Sequence, residues 1–288
     1  MRSVYLHELS SAFTGLTAYV FSAFLLLFGG IYTVAYSLQM GVANFEYVLD
    51  SMSFLFILII PVVTMRTLAE ERHQKTEQLL YALPLTMGQV VVGKFLALLC
   101  QFLLPVGLLG LYPLVLRLFG QVPMAAAYGS LCGFFFLGAA LLAIGLFVSS
   151  VTESQSVAAG LCFVVMLLNY FLESLAQLVP GTGLASLLAI GVCIAVAGVL
   201  IYRVTKNGVF AAVLTMLALA GNLLAFAWKS SAFEGLFASV IRTLSLFSRF
   251  SVFVTGVLDW TAVVYDLTVI GVFLVLTVQV LEKRRWSE

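Results

Sequence analysis

The sequence predicts an all-α, polytopic membrane protein, and three observations carry that prediction. Of its 288 residues, 62% are hydrophobic and only 9% are charged, against about 25% charged residues in an ordinary soluble domain. Its uncharged runs are long enough to cross a bilayer, which takes about 20 apolar residues in a helix. Backbone groups that face lipid must be paired within their own segment, so these runs are expected to be helical.

Charged and turn-forming residues divide the chain into eight candidate spans, with six or seven as the alternatives. The predicted spans are 15–38, 48–65, 95–116, 124–148, 155–178, 184–202, 207–228 and 261–281. The division between the fifth and sixth spans rests on Pro180, Gly181 and Gly183, which favour a turn. Without that turn, one helix would extend about 70 Å, more than twice the hydrocarbon thickness of a bilayer.

The distribution of basic residues predicts that both termini lie in the cytoplasm. In that orientation the inner segments hold ten lysine and arginine residues and the outer segments hold four, as the positive-inside rule requires. A seven-span arrangement would place Lys283, Arg284 and Arg285 outside. The basic residues form short clusters rather than one long stripe, so no nucleic-acid partner is expected. We expect a multi-pass protein of the plasma membrane, with the lipid bilayer as its surroundings.

The inner segment 66–94 has the composition of an amphipathic helix. Residues 68–83 are good helix formers without glycine, and Pro84 ends the run. Four residues follow the i, i+3, i+4, i+7 spacing of one helical face: Thr76, Leu79, Leu80 and Leu83. Glu71 and Lys75 form an i, i+4 pair on the other side. Two interpretations stay open, a helix that only covers the membrane surface and a docking element for a cytosolic partner.

A phosphate-loop pattern, G-x-x-x-x-G-K, falls at residues 88–94, but its surroundings argue against nucleotide binding. Phe95 stands where serine or threonine should hold magnesium, and three valines fill positions where backbone amides must curl around phosphate. The four cysteines lie inside apolar runs without the spacing of a metal site. We therefore expect no cofactor or metal on this chain.

The charged motifs, in their order along the chain, resemble those of ABC transporter permeases of the type 2 (ABC-2, exporter-like) family, particularly its gliding-motility-type branch. In the inner segment the matching residues are Glu70, Glu71, Arg72, Thr76, Glu77, Leu79, Leu80, Pro84, Gly93 and Lys94, with Lys75 where the family commonly has glycine. Further matches lie at 7–9, 18–21, 149–156, 253–259, Tyr265 and 283–286. Family members commonly have six spans, so the pair within 184–228 looks like an insertion.

The resemblance implies a single permease domain over residues 1–288, without enzymatic activity, in a bacterial plasma membrane. Its expected partners are a cytosolic ABC ATPase dimer, which holds ATP and magnesium, and a second permease subunit, identical or homologous. The ATPase would dock on Glu70, Glu71, Arg72, His73, Lys75, Thr76, Glu77, Leu79, Leu80, Pro84, Thr152 and Glu153. An ATP-independent secondary transporter or channel is the alternative. Such proteins place ionisable residues at mid-membrane, where this sequence has almost none.

The outer segment 229–260 contains an apolar helical face that is too short to span the membrane, so it predicts an interfacial or re-entrant helix. By the resemblance it would close an outer gate, for which the candidate residues are Phe233, Leu236, Phe237, Ile241 and Asp259; a passive surface loop is the alternative. Glu173 and Asp266 lie within or near the outer ends of spans, and two alternatives stay open for them: a functional role, as for carboxylates inside a membrane, and exposure to the outer interface. Gly129 and Gly133 form a G-x-x-x-G pair, which permits close approach of another helix.

Overall fold

The computed structural model describes residues 2–39, 44–73, 86–178, 181–205, 208–228, 233–257 and 259–285. Every regular element within these ranges is a helix, as the sequence predicts. The chain divides into two compact units, Met1–Tyr170 with Arg249–Glu288 and Phe171–Ser248. Each unit is described by itself.

The first unit contains most of the long helices. In chain order its elements are α1 (Arg2–Thr14), α2 (Thr17–Tyr32, continued by a π-helix at Thr33–Leu38), α3 (Phe45–Ser53), α4 (Phe56–Thr64), α5 (Ala69–His73), α6 (Met87–Leu109), α7 (Tyr112–Leu116), α8 (Met124–Val151), most of α9 (Gln155–Leu178), most of α13 (Leu246–Val254) and α14 (Trp260–Arg285). The second unit contains α10 (Gly183–Thr205), α11 (Gly208–Trp228) and α12 (Leu236–Leu244).

Five helical stretches are long and apolar enough to span a membrane by themselves: Thr17–Leu38, Met87–Leu116 (α6 with α7), Met124–Val151, Gln155–Leu178 and Trp260–Arg285. Two further pairs reach that length only together, and each is bent at the break between its members. The bend is 56° between α3 and the stretch Phe56–Arg72, and 80° between α12 and α13. The described residues therefore provide five to seven candidate spans. All eight predicted spans lie on helices, but the described apolar parts of α10 and α11 are shorter, so the count of eight stays a prediction.

Local sequence signals set the start of α6. The Thr86 hydroxyl accepts a hydrogen bond from the amide of Gln89 at 3.3 Å, and the Gln89 side chain accepts one from the Thr86 amide at 3.4 Å. This reciprocal capping box satisfies two amides that a helix start would leave unpaired. Because α6 begins at Met87, the G-x-x-x-x-G-K pattern up to Lys94 is helical. A regular helix cannot curl its amides around a phosphate as a phosphate loop does.

Helix α8 lies at the centre of the first unit and packs against α3, α4, α6 and α14. Three of its glycines permit this packing, because a neighbouring side chain occupies the place that a Cβ would take. A Cβ on Gly133 would lie 2.6 Å from Phe253 Cγ, one on Gly145 would lie 2.5 Å from Thr64 Oγ1, and one on Gly138 would overlap the ring of Phe102. The close approach expected at Gly133 is thus made within the chain, by α13.

Aromatic rings fill the space that these glycines leave. Phe56 of α4 lies 4.5 Å from the ring centroid of Phe134 on α8 and 5.6 Å from that of Phe102 on α6. Phe250 of α13 meets Phe134 at 6.1 Å with an interplanar angle of 60°. All four rings are buried. Since ring pairs at these separations attract beyond their area burial, they fix α4, α6 and α13 around α8.

In the second unit, α10 and α11 form a packed helical pair. The Asn222 side chain on α11 donates to the carbonyl of Leu187 on α10 at 3.2 Å. Gly235 precedes α12 with φ of 69°, a conformation that favours glycine, and its amide donates to the Gly181 carbonyl at 3.1 Å. Gly181, one of the residues that predict a turn, thus lies beside the start of α12.

Two glycine substitutions test the packing of α8. Gly138→Ala should destabilise the protein by about 1–3 kcal/mol, because the added methyl meets the buried Phe102 ring. Gly271→Ala on α14, where nothing lies within 4 Å of the added carbon, should raise stability by roughly 0.5–1 kcal/mol through helix propensity. Thermal unfolding of the purified chain in detergent measures both. A rise in melting temperature for Gly138→Ala would contradict this packing.

Candidate functional site: the Lys94 junction

The most unusual group in the first unit is the ammonium of Lys94, which is 1% exposed on α6. Its Nζ donates to Glu8 Oε1 at 2.6 Å, to Glu71 Oε1 at 2.6 Å and to the Thr67 carbonyl at 3.1 Å. These three acceptors use all three N–H donors of an ammonium group. A buried charge is costly unless it is paired and hydrogen-bonded, and here both requirements are met. We call these four residues the Lys94 junction.

The junction ties together parts of the chain that are distant in sequence. Glu8 lies on α1, Thr67 in the turn after α4, Glu71 on α5 and Lys94 on α6. The carboxylate-bearing side chains of Glu8 and Glu71 are 23% and 24% exposed, so they reach water while the ammonium does not. The junction carries one positive and two negative charges and holds α5 against both α1 and α6.

A second set of contacts holds α5 against the end of α8. The Ser149 hydroxyl accepts hydrogen bonds from the amides of Leu68 at 3.2 Å and Ala69 at 3.1 Å. These are amides at the start of α5, which a helix leaves unpaired unless a side chain caps them. The guanidinium of Arg72, 8% exposed, donates from Nη1 to the Thr152 carbonyl at 2.9 Å. Because α5 is short, these contacts determine its position.

The C-terminus of α8 receives cationic donors from two sides. Besides Arg72, Arg284 of α14 donates from Nη2 to the Val151 carbonyl at 3.0 Å. The last carbonyls of a helix are unpaired and carry the negative end of its dipole, so guanidinium groups are favoured there. Three helices, α5, α8 and α14, therefore meet at residues 151–152.

The structure describes half of the residues predicted to dock an ATPase. Glu70 and Glu71 are partly buried, Arg72 and Thr152 are buried and Glu153 is exposed, while His73 is the last residue of α5. The other six predicted residues lie outside the described residues: Lys75, Thr76, Glu77, Leu79, Leu80 and Pro84. Glu71 pairs with Lys94, a partner that the sequence analysis did not assign to it. Whether these residues also contact an ATPase stays a prediction.

Glu8, Lys94 and Ser149 fall within the motifs of the resemblance, but no site role was predicted for them. A signal for Lys94 was present, because a lysine next to a long apolar run requires an anionic partner. Which carboxylates would supply it depends on how α1 and α5 pack, and periodicity within one helix does not show that. Within the described residues, no three His, Cys, Asp or Glu side chains come together as a metal site would require.

The outer segment contains two short helices, α12 and α13, separated by a bend of 80° at Ser245. Such a pair is either a broken span or a re-entrant hairpin, and the second alternative fits the prediction. In the second unit, Phe233 is 7% exposed and packs edge-on against Phe226 at 5.4 Å. The other predicted gate residues on α12, Leu236, Phe237 and Ile241, are only partly buried.

The sequence analysis missed the anchoring face of α13. Phe250 and Phe253 are each 2% exposed in the first unit. The Ser130 hydroxyl of α8 donates to the Phe253 carbonyl at 2.9 Å, and Gly133 lies against the Phe253 ring. A helix-spaced series of apolar residues starting at Leu246 was present in the sequence as a signal for this face.

Asp259 lies in the first unit and caps the start of α14. Its Oδ1 accepts a hydrogen bond from the Thr261 amide at 2.8 Å. This hydrogen bond stabilises the ionised carboxylate and lowers the pKa of Asp259 below its ordinary value. The structure thus assigns Asp259 a capping role, while the predicted gate residues on α12 belong to the second unit. Their grouping as one gate stays a prediction.

Of the two alternatives left open for Asp266, exposure to the interface is not what the structure shows, because this residue is 4% exposed. Its Oδ1 has no hydrogen-bond partner in the described part of the chain. The neighbouring residue on α14, Tyr265, makes a different contact. The Arg249 guanidinium lies over the Tyr265 ring, 4.2 Å from the ring centroid, which is a favourable cation–π separation. This contact joins α13 to α14.

The fold and the junction together define a class: an all-helical, multi-pass membrane protein with a buried ion cluster at one end of its helices. Residues 30–179 match the family described as ABC-2 family transporter protein, and the chain belongs to that family. The match extends from α2 to the end of α9 and includes Glu71, Lys94 and Ser149. No curated protein matches the chain. Its family makes the chain a membrane component of a transporter, of the permease class.

Removing the charge at the centre of the Lys94 junction tests its energetic role. Lys94→Met should destabilise the protein by roughly 3 kcal/mol, because two carboxylates lose their shared counter-ion. The triple variant Glu8→Gln, Glu71→Gln, Lys94→Met should recover most of that loss. Chemical unfolding in detergent is the measurement. Lys283→Met, at an exposed position on α14, serves as the control and should change stability by less than about 0.5 kcal/mol. Equal losses in the single and triple variants would contradict the charge argument.

The capping role of Asp259 predicts a pH dependence. The pKa of Asp259 is lower in the folded state than in the unfolded state. The contribution of Asp259 to the stability of the fold is therefore fully present above the unfolded-state pKa and is lost as the pH falls through the folded-state pKa. Asp259→Ala should lower the melting temperature at pH 7, and Asp259→Asn, which can still cap, should lower it less. The difference between wild type and Asp259→Ala should shrink as the pH falls below about 4. A difference that is independent of pH would rule out the ionised cap.

Proposed function

We propose that this chain is the permease subunit of an ABC exporter of the gliding-motility-type branch. Two permease subunits, identical or homologous, would pair in a bacterial plasma membrane with both termini of this chain in the cytoplasm. ATP hydrolysis in a separate nucleotide-binding subunit would drive alternating access. The family match supports a transporter component of the ABC-2 type. Export, ATP coupling and the dimeric assembly are the proposed parts.

One observation carries the proposal: the Lys94 junction connects the predicted docking segment to helices α1 and α6. Glu71 lies on α5, at the start of segment 66–94, and its carboxylate is 2.6 Å from the ammonium on α6. The same ammonium holds Glu8 of α1. Displacement of α5 by a partner would therefore pull on α1 and α6 through short ion pairs whose shared ammonium is buried. Such contacts resist stretching more than exposed ion pairs do.

A second connection leads from α5 to the C-terminal end of α8. Arg72 binds the carbonyl of Thr152 and Ser149 caps the start of α5, so α5 and the end of α8 would move together. Helix α8 in turn packs on α3, α4, α6 and α14. Movement at the cytosolic surface could thus reach the transmembrane core without a long flexible linker. Coupling of this kind requires an element with two stable positions, and we propose that α5 is that element.

The proposed ATPase-docking surface lies beside these connections. Glu153, between α8 and α9, is exposed next to buried Thr152. Glu70 is partly buried on α5, and the residues at 75–84 would complete the surface. ATP and magnesium would be held by the partner, because the only phosphate-loop pattern in the sequence of this chain lies in α6, in helical form.

A secondary transporter or channel is the alternative function. Asp266 supports it to the extent that buried carboxylates within membrane spans mark ion or proton pathways. The family match favours ATP-dependent transport, since ABC-2 proteins are the membrane components of ABC transporters. Purified protein that transports without any ATPase partner would reverse this preference.

A charge reversal at Glu153 tests the docking surface. Glu153→Lys should weaken association with the cytosolic ATPase about tenfold, because an interface residue of opposite charge would meet its former partner. Glu173→Lys is the matched control, since it lies on α9, the helix that follows Glu153, about 27 Å from the start of that helix by helical rise. Co-purification of the ATPase followed by titration of the separated subunits gives the affinity. ATP hydrolysis by the chain alone, or equal affinities for the two variants, would contradict the proposal.

A further inference from the structure

A cavity of about 880 Å³ opens beside the Lys94 junction in the first unit. Its walls come from α1, α2, α4, α5, α6 and the turn after α4. It shares Glu70 with the surface proposed for ATPase docking, and its other lining residues lie outside that surface. Volumes of about 300–1,000 Å³ are typical of small-molecule sites. The cavity runs from the level of Lys94 to that of Gln101 on α6, a distance of about 10 Å along the helix.

The chemistry of the cavity changes with depth. Its inner end is polar and carries charges of both signs, from Glu8, Arg66, Glu70 and Lys94. Further along α2 and α4 the walls are apolar, formed by residues that include Phe21, Phe24, Leu58, Ile59 and Val62. Lys94 is paired with Glu8 within the Lys94 junction, and Arg66 and Glu70 add one charge of each sign to the lining. This end therefore suits a zwitterionic group better than a strongly charged one.

One polar group interrupts the apolar part. Gln101 lines the cavity, its side chain is 4% exposed, and its Nε2 has no hydrogen-bond partner in the described part of the chain. An unpaired buried amide donor is costly, and such groups are usually satisfied by a partner that the protein alone does not supply. A carbonyl oxygen on a ligand, about 10 Å inside the polar end, would satisfy it.

The side of the cavity between α2 and α4 provides a route from the bilayer. Val20 and Val62, which line it, are 61% and 58% exposed. Exposed apolar side chains on predicted spans are in contact with lipid tails. A molecule within the membrane could therefore enter sideways, with its polar group at the charged end and its tail along α2 and α4.

We propose that this cavity binds a single-chain amphiphile with a zwitterionic or neutral headgroup and an ester or amide carbonyl, which accepts a hydrogen bond from Gln101 Nε2. The headgroup lies between Arg66 and Glu70, and the tail follows the apolar wall. The inference needs the chain to be in a membrane and does not depend on ATP coupling. Its failure would therefore be distinguishable from failure of the docking-surface proposal.

The test compares two probes that differ by one carbonyl, 1-palmitoyl-lysophosphatidylcholine and its ether analogue, 1-hexadecyl-lysophosphatidylcholine. Native mass spectrometry of the full chain, titrated with each probe in detergent, measures the two dissociation constants. Wild type should bind the ester about tenfold more tightly than the ether, because only the ester satisfies the amide. Gln101→Leu should remove this preference without lowering the melting temperature, since it deletes an unpaired donor.

Two tryptophan variants on α2 provide the matched control for the route of entry. Val20→Trp should block the cavity and weaken binding of both probes, whereas Leu27→Trp, at an exposed position on the same helix outside the cavity lining, should leave both affinities unchanged. Displacement of the ester probe by 1-palmitoyl-2-oleoyl-phosphatidylcholine would identify a resident membrane lipid as the source of this chemistry. Resistance to displacement would identify a single-chain substrate.

Three results would overturn the proposal: equal affinity of wild type for ester and ether, a preference that persists in Gln101→Leu, or a melting temperature that falls in Gln101→Leu. The last would mean that the amide already has a partner within the protein. The proposal would also be overturned if neither probe bound saturably and wild type formed a dimer that Val20→Trp did not form. That result would assign the cavity mouth to a second copy of this chain.

Discussion

Lys94 imposes the constraint on which the α5 end of the first unit depends. An ammonium that is 1% exposed must have its donors satisfied nearby, and the acceptors come from α1, the turn after α4 and α5. None of these segments can move away alone without leaving a buried donor unpaired. A hydrophobic contact at this place would tolerate sliding, because it has no preferred direction. The ion cluster stabilises this arrangement, in which α5 is held against α1 and α6.

The other constraint is steric and lies along α8. Glycines at 133, 138 and 145 bring Phe253, Phe102 and Thr64 against the helix backbone. Without a hydrophobic driving force between helices in lipid, association depends on such close packing. The aromatic rings then fill the spaces between helices and hold α13 in place. The glycine contacts determine how near the helices come, while the Lys94 junction determines which parts of the chain meet at one end.

Composition was sufficient to predict the helical membrane fold, because long uncharged runs have few other solutions in a bilayer. It was insufficient for α10 to α13, where turns, bends and short apolar helices leave the number of spans dependent on tertiary packing. The site was predictable in part. Glu71 and Arg72 were singled out, but periodicity within one segment could not show that Glu71 turns toward Lys94. Likewise, a glycine pair on α8 indicates close approach and does not identify Phe253 as the neighbour.

The junction and the cavity share Glu8 and Lys94, and this overlap has a thermodynamic consequence. A molecule in the cavity would contact the same charged groups that hold α5. If α5 has two positions, an occupant that favours one of them makes that position more populated. Linkage then requires the reverse effect, so that a partner which shifts α5 changes the affinity of the cavity by the same factor. The buried ion pairs would in this way connect a cytosolic docking event to a ligand within the bilayer, through contacts that extend only about two turns of α6.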